Sequence, residues 1–138
     1  MTRSHEPLIR LARFKVEELQ KQMAELDRSK AALISQIERL EASVPEEQAI
    51  ATQSKDGYLA YGSYAQAAIQ RKDNIRASLT EAEAQSDALR DRLSEAFQEL
   101  KKDELLEERR LARAEAALRE SEQAELDEMA SIRHRRAH

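Results

Sequence analysis

Apolar positions recur at alternating steps of three and four along the first third of the chain, a pattern typical of the buried seam of a coiled-coil helix. Ser4 is suited to cap the start of such a helix, and Pro7 falls in its first turn, where a missing N–H does little harm. The pattern predicts a first helix over about residues 4–44. Its seam positions are Ile9, Ala12, Val16, Leu19, Met23, Leu26, Lys30, Leu33, Ile37 and Leu40, with Lys30 as the one polar member.

A second series with the same rhythm predicts a second helix over about residues 63–134. Ser63 and Gln66 have the spacing of a capping box, which favours a start just after Gly62. The chain beyond Gly62 contains neither Gly nor Pro. The seam positions are Ala68, Lys72, Ile75, Leu79, Ala82, Ser86, Leu89, Leu93, Ala96 and Leu100.

Helix-breaking residues are concentrated between the two series, where Pro45, Gly57 and Gly62 lie. They predict a tip over about residues 45–62 and an antiparallel return, in which facing seam positions have numbers that sum to about 109. Leu19 would then face Leu89. The predicted fold class is all-α, a two-helix antiparallel coiled-coil hairpin forming a single domain over residues 1–138. Because each seam is satisfied within the chain, the protein is expected to be a monomer.

Past Leu100 the strict seven-residue repeat of apolar positions is lost. The segment KKDELLEERR follows, and the next apolar positions stand eleven residues apart, as Leu118 and Met129 do. An eleven-residue spacing does not continue a left-handed seam. The second helix is therefore expected to overhang the first, and a frayed, charged tail is the alternative.

The amino-acid composition excludes several other classes of protein and site. Charged residues make up 36% of the chain and aromatic residues 4%, and Cys and Trp are absent, so a multilayered core and a disulfide or thiolate-zinc site are excluded. A net charge of −4 argues against a general nucleic-acid binder. No apolar run approaches the length of a membrane span, so direct membrane insertion is not expected. The expected location is the cytosol.

Candidate catalytic and ligand-binding motifs are weak. The stretch GYLAYGSY has the glycine spacing of a phosphate loop, but Ser63 and Tyr64 stand where that motif needs its lysine and its hydroxyl residue. His134 and His138 are four residues apart, without a carboxylate at a fixed spacing. No enzyme activity, cofactor or metal site is predicted.

All three tyrosines lie close together in a chain with few aromatic rings. Tyr58, Tyr61 and Tyr64, together with Leu59, fall within the predicted tip. Tyrosine combines a large rigid contact surface with a polar end, which suits recognition of a partner. Packing over the open end of the hairpin is the alternative function for these side chains.

Three segments resemble the flagellar type III export protein FliJ family, particularly its alphaproteobacterial form. They are LIRLARFKVEELQKQMAELD, AYGSYAQAAIQRKDNI and LKKDELLEERRLARAEAALRESEQAELDEMA. The resemblance implies a hairpin similar to the central stalk of rotary ATPases, without enzyme activity, in the cytoplasm at the inner-membrane export apparatus. Implied partners are the hexameric export ATPase, the cytoplasmic domain of the membrane export gate, and export chaperones. The implied processes are flagellum biogenesis, motility and chemotaxis.

The resemblance also implies where partners would bind. Leu59, Tyr61 and Tyr64 are the nearest match to the family's gate-contacting residues, and Tyr58 lies beside them. For the ATPase we expect contacts on the overhang, where the candidates are Glu107, Glu108, Arg109, Arg110 and Arg113. Solvation with intrahelical ion pairs is the alternative for these charged residues.

Three other functions are compatible with a charged hairpin. A structural coiled-coil scaffold would need a self-complementary seam past Leu100, which the sequence does not show. A chaperone-like hairpin would need an apolar inner face at the helix ends, and the tail of this chain is too charged to provide one. A stalk of an injectisome-type secretion system would have a similar hairpin, and the sequence does not separate it from a flagellar one.

Overall fold

The computed structural model describes residues 3–137 and contains two helices, α1 over Glu6–Ala51 and α2 over Lys55–Ala137. No strand occurs among these residues. The predicted all-α class with two long, mutually packed helices is therefore confirmed. No helix within this described part of the chain is both long and apolar enough to cross a bilayer.

The chain divides into two compact units. The central unit comprises residues 17–94, and the terminal unit comprises residues up to 16 together with those from 95 onward. Each unit contains a segment of α1 packed against a segment of α2.

The central unit shows the antiparallel seam through the order of its contacts. Met23 and Lys30 on α1 both contact Ser86 on α2, and Glu41, farther along α1, contacts Lys72. The residue numbers on α2 fall as those on α1 rise, so the two helices are antiparallel. Ser86 is the most buried side chain among the described residues, at 1% exposure, and its hydroxyl accepts a hydrogen bond from the Lys30 ammonium at 3.3 Å. The polar seam position predicted at Lys30 is thus matched by a buried hydroxyl on the other helix.

The predicted seam positions are buried or half-buried throughout. The fully buried apolar ones are Ile9, Ala12, Val16, Leu19, Ala68, Ile75, Ala82 and Ala96. Several of these are alanines, whose small side chains let two helices approach closely but remove little apolar area from water. The seam therefore relies on its length rather than on bulky layers.

In the terminal unit the seam continues beyond Leu100, contrary to the expectation that it ends there. The same steps of three and four lead to Asp103, which is buried, and then to Glu107 and Arg110, which are half-buried. The sequence interpretation followed apolar residues and therefore missed this polar extension. The overhang consequently begins after Arg110.

The predicted tip over 45–62 is wrong, because both helices extend into it. Pro45 lies inside α1, and the helix continues to Ala51, which is buried. A proline interrupts one backbone hydrogen bond of a helix, and here the seam positions around it, half-buried Val44 and Glu47, keep the chain packed. Residues 52–54 alone connect the two helices.

The start of α2 is set by Ser54 and not by the predicted capping box at Ser63. The Ser54 hydroxyl accepts the Gly57 N–H at 2.9 Å, and the Ser54 carbonyl accepts the Tyr58 N–H at 3.0 Å. A Cβ at Gly57 would lie 3.2 Å from the Ile50 carbonyl oxygen, a closer contact than most Cβ atoms make. Gly62 has open space around it.

The last part of α2 is a single helix without a neighbouring segment of α1. The helix continues to Ala137, and from Leu111 onward the described side chains are exposed, apart from half-buried Ile132. The overhang is therefore helical, as predicted, rather than frayed.

Candidate interaction surfaces

The tyrosine cluster lies on the first turns of α2 and divides into an exposed and a packed pair. Tyr58 and Leu59 are 71% and 66% exposed. Tyr61 and Tyr64 are half-buried, and their ring centroids lie 6.3 Å apart with a 33° tilt between the rings. The cluster therefore combines two free side chains with two that are fixed by packing.

Tyr64 is tied to α1 through its hydroxyl group. The Ser43 hydroxyl donates to the Leu40 carbonyl at 2.8 Å, so in its hydrogen bond with Tyr64 it is the acceptor. The phenol end is thus satisfied within the protein, two residues before Pro45. The sequence interpretation located the tyrosines but could not find Ser43, because this pairing depends on how far α1 continues.

A second cluster joins the start of α1 to α2. The Glu107 carboxylate accepts the His5 N–H at 2.7 Å and a hydrogen bond from the Ser4 hydroxyl at 3.3 Å. Ser4 in turn accepts the Glu6 N–H at 3.2 Å, which agrees with its predicted capping role. A carboxylate beside free N–H groups at a helix start is favoured by the helix dipole. Glu107 therefore caps a helix to which it does not belong.

Arg110 completes this cap from the next turn of α2. Its guanidinium nitrogens lie 2.6 Å and 3.2 Å from the same Glu107 oxygen. The pKa of Glu107 is lowered from 4.5 to about 2, mainly by the hydrogen bond from Arg110 and next by that from the His5 N–H. The same pairing raises the pKa of Arg110. Glu107 thus remains ionised at all but strongly acidic pH.

The residues expected to bind the ATPase are separated by this arrangement. Glu107 and Arg110 are engaged with each other and with the start of α1, whereas Glu108, Arg109 and Arg113 are exposed. Binding of the ATPase by this group stays a prediction, and the exposed members are the ones free to make it. The tyrosine cluster likewise remains a predicted gate-binding site.

The histidine pair is only partly within the described residues. Among residues 3–137, no group of three or more His, Asp or Glu side chains is placed to hold a metal ion. His134 lies on the last turn of α2, while His138, four residues later in the sequence, falls outside the described residues.

The sequence matches a known protein family. A family model described as the flagellar FliJ protein matches residues 3–138, nearly the whole chain. Neither the curated proteins nor the solved structures contain a match. The matched range covers both helices and both candidate surfaces.

Proposed function

We propose that this chain, which belongs to the flagellar FliJ protein family, is a non-enzymatic stalk and adaptor of the flagellar type III export apparatus. The family implies a role related to flagellar export. The finer proposal is that the protein links the hexameric export ATPase to the cytoplasmic domain of the membrane export gate, and is held at the inner membrane through these partners. Export chaperones are further partners in this proposal.

The observation that carries the proposal is the exposed single helix beyond Arg110. At about 1.5 Å per residue, the segment 111–137 is on the order of 40 Å long, and it has no segment of α1 beside it. An isolated helix of this length is marginal in water and gains stability when a partner covers it. A helix that projects from a packed pair suits insertion into the central channel of a ring.

The ATPase interaction can be tested by removing the tail while keeping the cap. A chain ending at Leu111 retains Glu107 and Arg110, so its helix pair should unfold at nearly the same temperature as that of the full chain. We expect this shortened chain to lose binding to the export ATPase in a co-sedimentation assay. In the full chain, Glu108→Lys combined with Arg113→Glu should weaken the binding without shortening the helix.

A matched charge change elsewhere serves as the control for that assay. Arg71 and Arg92 are exposed on the α2 segment of the central unit, so Arg71→Glu combined with Arg92→Glu should leave ATPase binding unchanged. Full binding by the shortened chain would show that the tail is not the ATPase contact.

The gate interaction is assigned to the exposed half of the tyrosine cluster. Replacing Tyr58 and Leu59 by Ala should weaken binding to the gate's cytoplasmic domain and leave thermal stability unchanged, because both side chains are exposed. Replacing Tyr61 and Tyr64 should also lower stability, since these rings pack against each other and Tyr64 bonds to Ser43. Equal gate binding by the wild type and the Tyr58/Leu59 variant would remove these two residues from the proposed site.

A further inference from the structure

Two apolar faces in the terminal unit remain uncovered by the seam. The first, here called the outer face, consists of Leu8, Leu11 and Phe14 on α1, which are 54%, 64% and 58% exposed. Successive steps of three keep these side chains on one side of the helix. Arg10 and Lys15 flank them, and no acidic residue occurs between Pro7 and Val16.

The second face lies on the α2 overhang and has the opposite charge. This tail face consists of Leu118, Leu126 and Met129, each more than half exposed, with Glu122 and Glu125 among them. Steps of eight and three residues again place the apolar side chains on one side of the helix. No basic residue occurs from Glu120 to Met129.

The charges of both faces are unpaired in this part of the chain. Within residues 3–137, neither Arg10 and Lys15 nor Glu122 and Glu125 form an ion pair, although other exposed charges do, such as Arg119 with Glu115 at 3.9 Å. Each face therefore offers apolar area together with free charges of one sign. The two faces are complementary in both respects.

The two faces cannot meet within one molecule. Leu118 lies eleven residues beyond Glu107, which sits at the start of α1, so it is about 16 Å farther along the helix axis. The outer face extends in the other direction, away from the tail. Because α2 is continuous to Ala137, its end does not fold back onto α1.

We propose that a second copy of this chain covers these faces, with the tail face of each copy packed on the outer face of the other. An antiparallel arrangement of two copies makes this contact twice about a twofold axis, so the assembly closes as a dimer instead of growing into a filament. The contact uses residues outside the seam and leaves each helix pair intact. It is weak and sensitive to salt, because its charges lie at an exposed interface.

This dimer modifies the expectation of a monomer drawn from the seams. The seams are satisfied within the chain, so dilute protein is monomeric. Association through the outer and tail faces adds to that fold at higher concentration. Binding of the tail by another partner would compete with it.

The test is a charge-swap cycle followed by sedimentation velocity, from about 5 to about 500 µM, the range where weak interfaces associate. One variant carries Arg10→Glu and Lys15→Glu, and a second carries Glu122→Lys and Glu125→Lys. Each variant alone should dimerise at least about tenfold more weakly than the wild type, because like charges then face each other. An equimolar mixture of the two variants should dimerise about as well as the wild type, since every contact again joins opposite charges.

Two controls keep the result specific. The Arg71→Glu, Arg92→Glu variant changes the same number of charges outside both faces and should dimerise as the wild type does. Circular dichroism should show equal helicity for all variants. Raising the salt from about 50 to about 500 mM should weaken the wild-type dimer, because screening shortens the range of the charges.

Several outcomes would overturn the proposal. They are a wild-type chain that stays monomeric up to the highest concentration, swaps that leave dimerisation unchanged, and a mixture that fails to restore it. A monomeric chain that co-sediments with anionic phospholipid vesicles, and loses this binding in the Arg10→Glu, Lys15→Glu variant, would assign the outer face to a membrane surface instead.

Discussion

At the scale of single residues, Glu107 is the side chain on which the start of α1 depends most. Its carboxylate holds the His5 N–H, the Ser4 hydroxyl and the Arg110 guanidinium together. These contacts stabilise the ionised form and lower its pKa to about 2. Because the pKa of Glu107 is lower in the folded than in the unfolded state, its ionisation stabilises the folded state at every pH above the unfolded pKa.

The sign of the pH dependence follows from that difference. The stabilisation by Glu107 is fully present above its ordinary pKa of 4.5 and is lost as pH falls toward about 2. We therefore expect Glu107→Gln to have a lower Tm than the wild type at pH 7, with the difference vanishing as pH falls through this window. Thermal unfolding followed by circular dichroism measures both.

Glu108 provides a matched control for that prediction. It is the next residue along α2, and it is exposed. Glu108→Gln should leave Tm close to that of the wild type at every pH. If the Tm of Glu107→Gln lies below that of the wild type by the same amount at pH 7 and at pH 2, packing and not the charge accounts for the effect.

At the scale of the helices, the two glycines at the start of α2 have opposite roles. Gly62 stands in a helix with open space around it, so Gly62→Ala should raise the free energy of unfolding by about 1 kcal/mol, the ordinary helix-propensity gain. Gly57→Ala should lower it, because the new Cβ would lie 3.0 Å from the capping Ser54 oxygen and 3.2 Å from the Ile50 carbonyl oxygen. Urea denaturation of the two variants distinguishes these effects, and equal shifts would contradict the close approach at Gly57.

The sequence predicted the helices well where burial follows apolar periodicity. Every seam position from Ile9 to Leu40 and from Ala68 to Leu100 is buried or half-buried. The periodicity is sustained over so many helical turns that it cannot have arisen by chance from the composition. The two helices and their buried faces therefore followed from the pattern of hydrophobic positions.

The helix ends were predicted poorly, because there local preference and packing disagree. Pro45 and the two glycines favour a loop, yet seam contacts on both sides of them keep the chain helical. Past Leu100 the opposite error occurred, since Asp103, Glu107 and Arg110 continue the seam with polar side chains that a search for apolar residues passes over. The partners of Glu107 depend on where the start of α1 lies against α2, which no local motif specifies.

At the scale of the whole molecule, the helical chain has two candidate interaction surfaces that are separate from each other. The exposed tyrosine and leucine near the start of α2 and the helical tail at its end belong to different units. In the proposed function they bind the export gate and the export ATPase respectively. In that proposal the protein acts on export by binding these two partners.

The most direct test of this account is protein export in a flagellated host that lacks this chain. We expect the deletion strain to secrete much less flagellar filament subunit into the medium and to swim poorly. The full chain should restore secretion, whereas the chain ending at Leu111 should not, although it accumulates to the same level in the cell. Normal secretion and motility in the deletion strain, or full rescue by the chain ending at Leu111, would contradict the proposed role of the protein and of its helical tail.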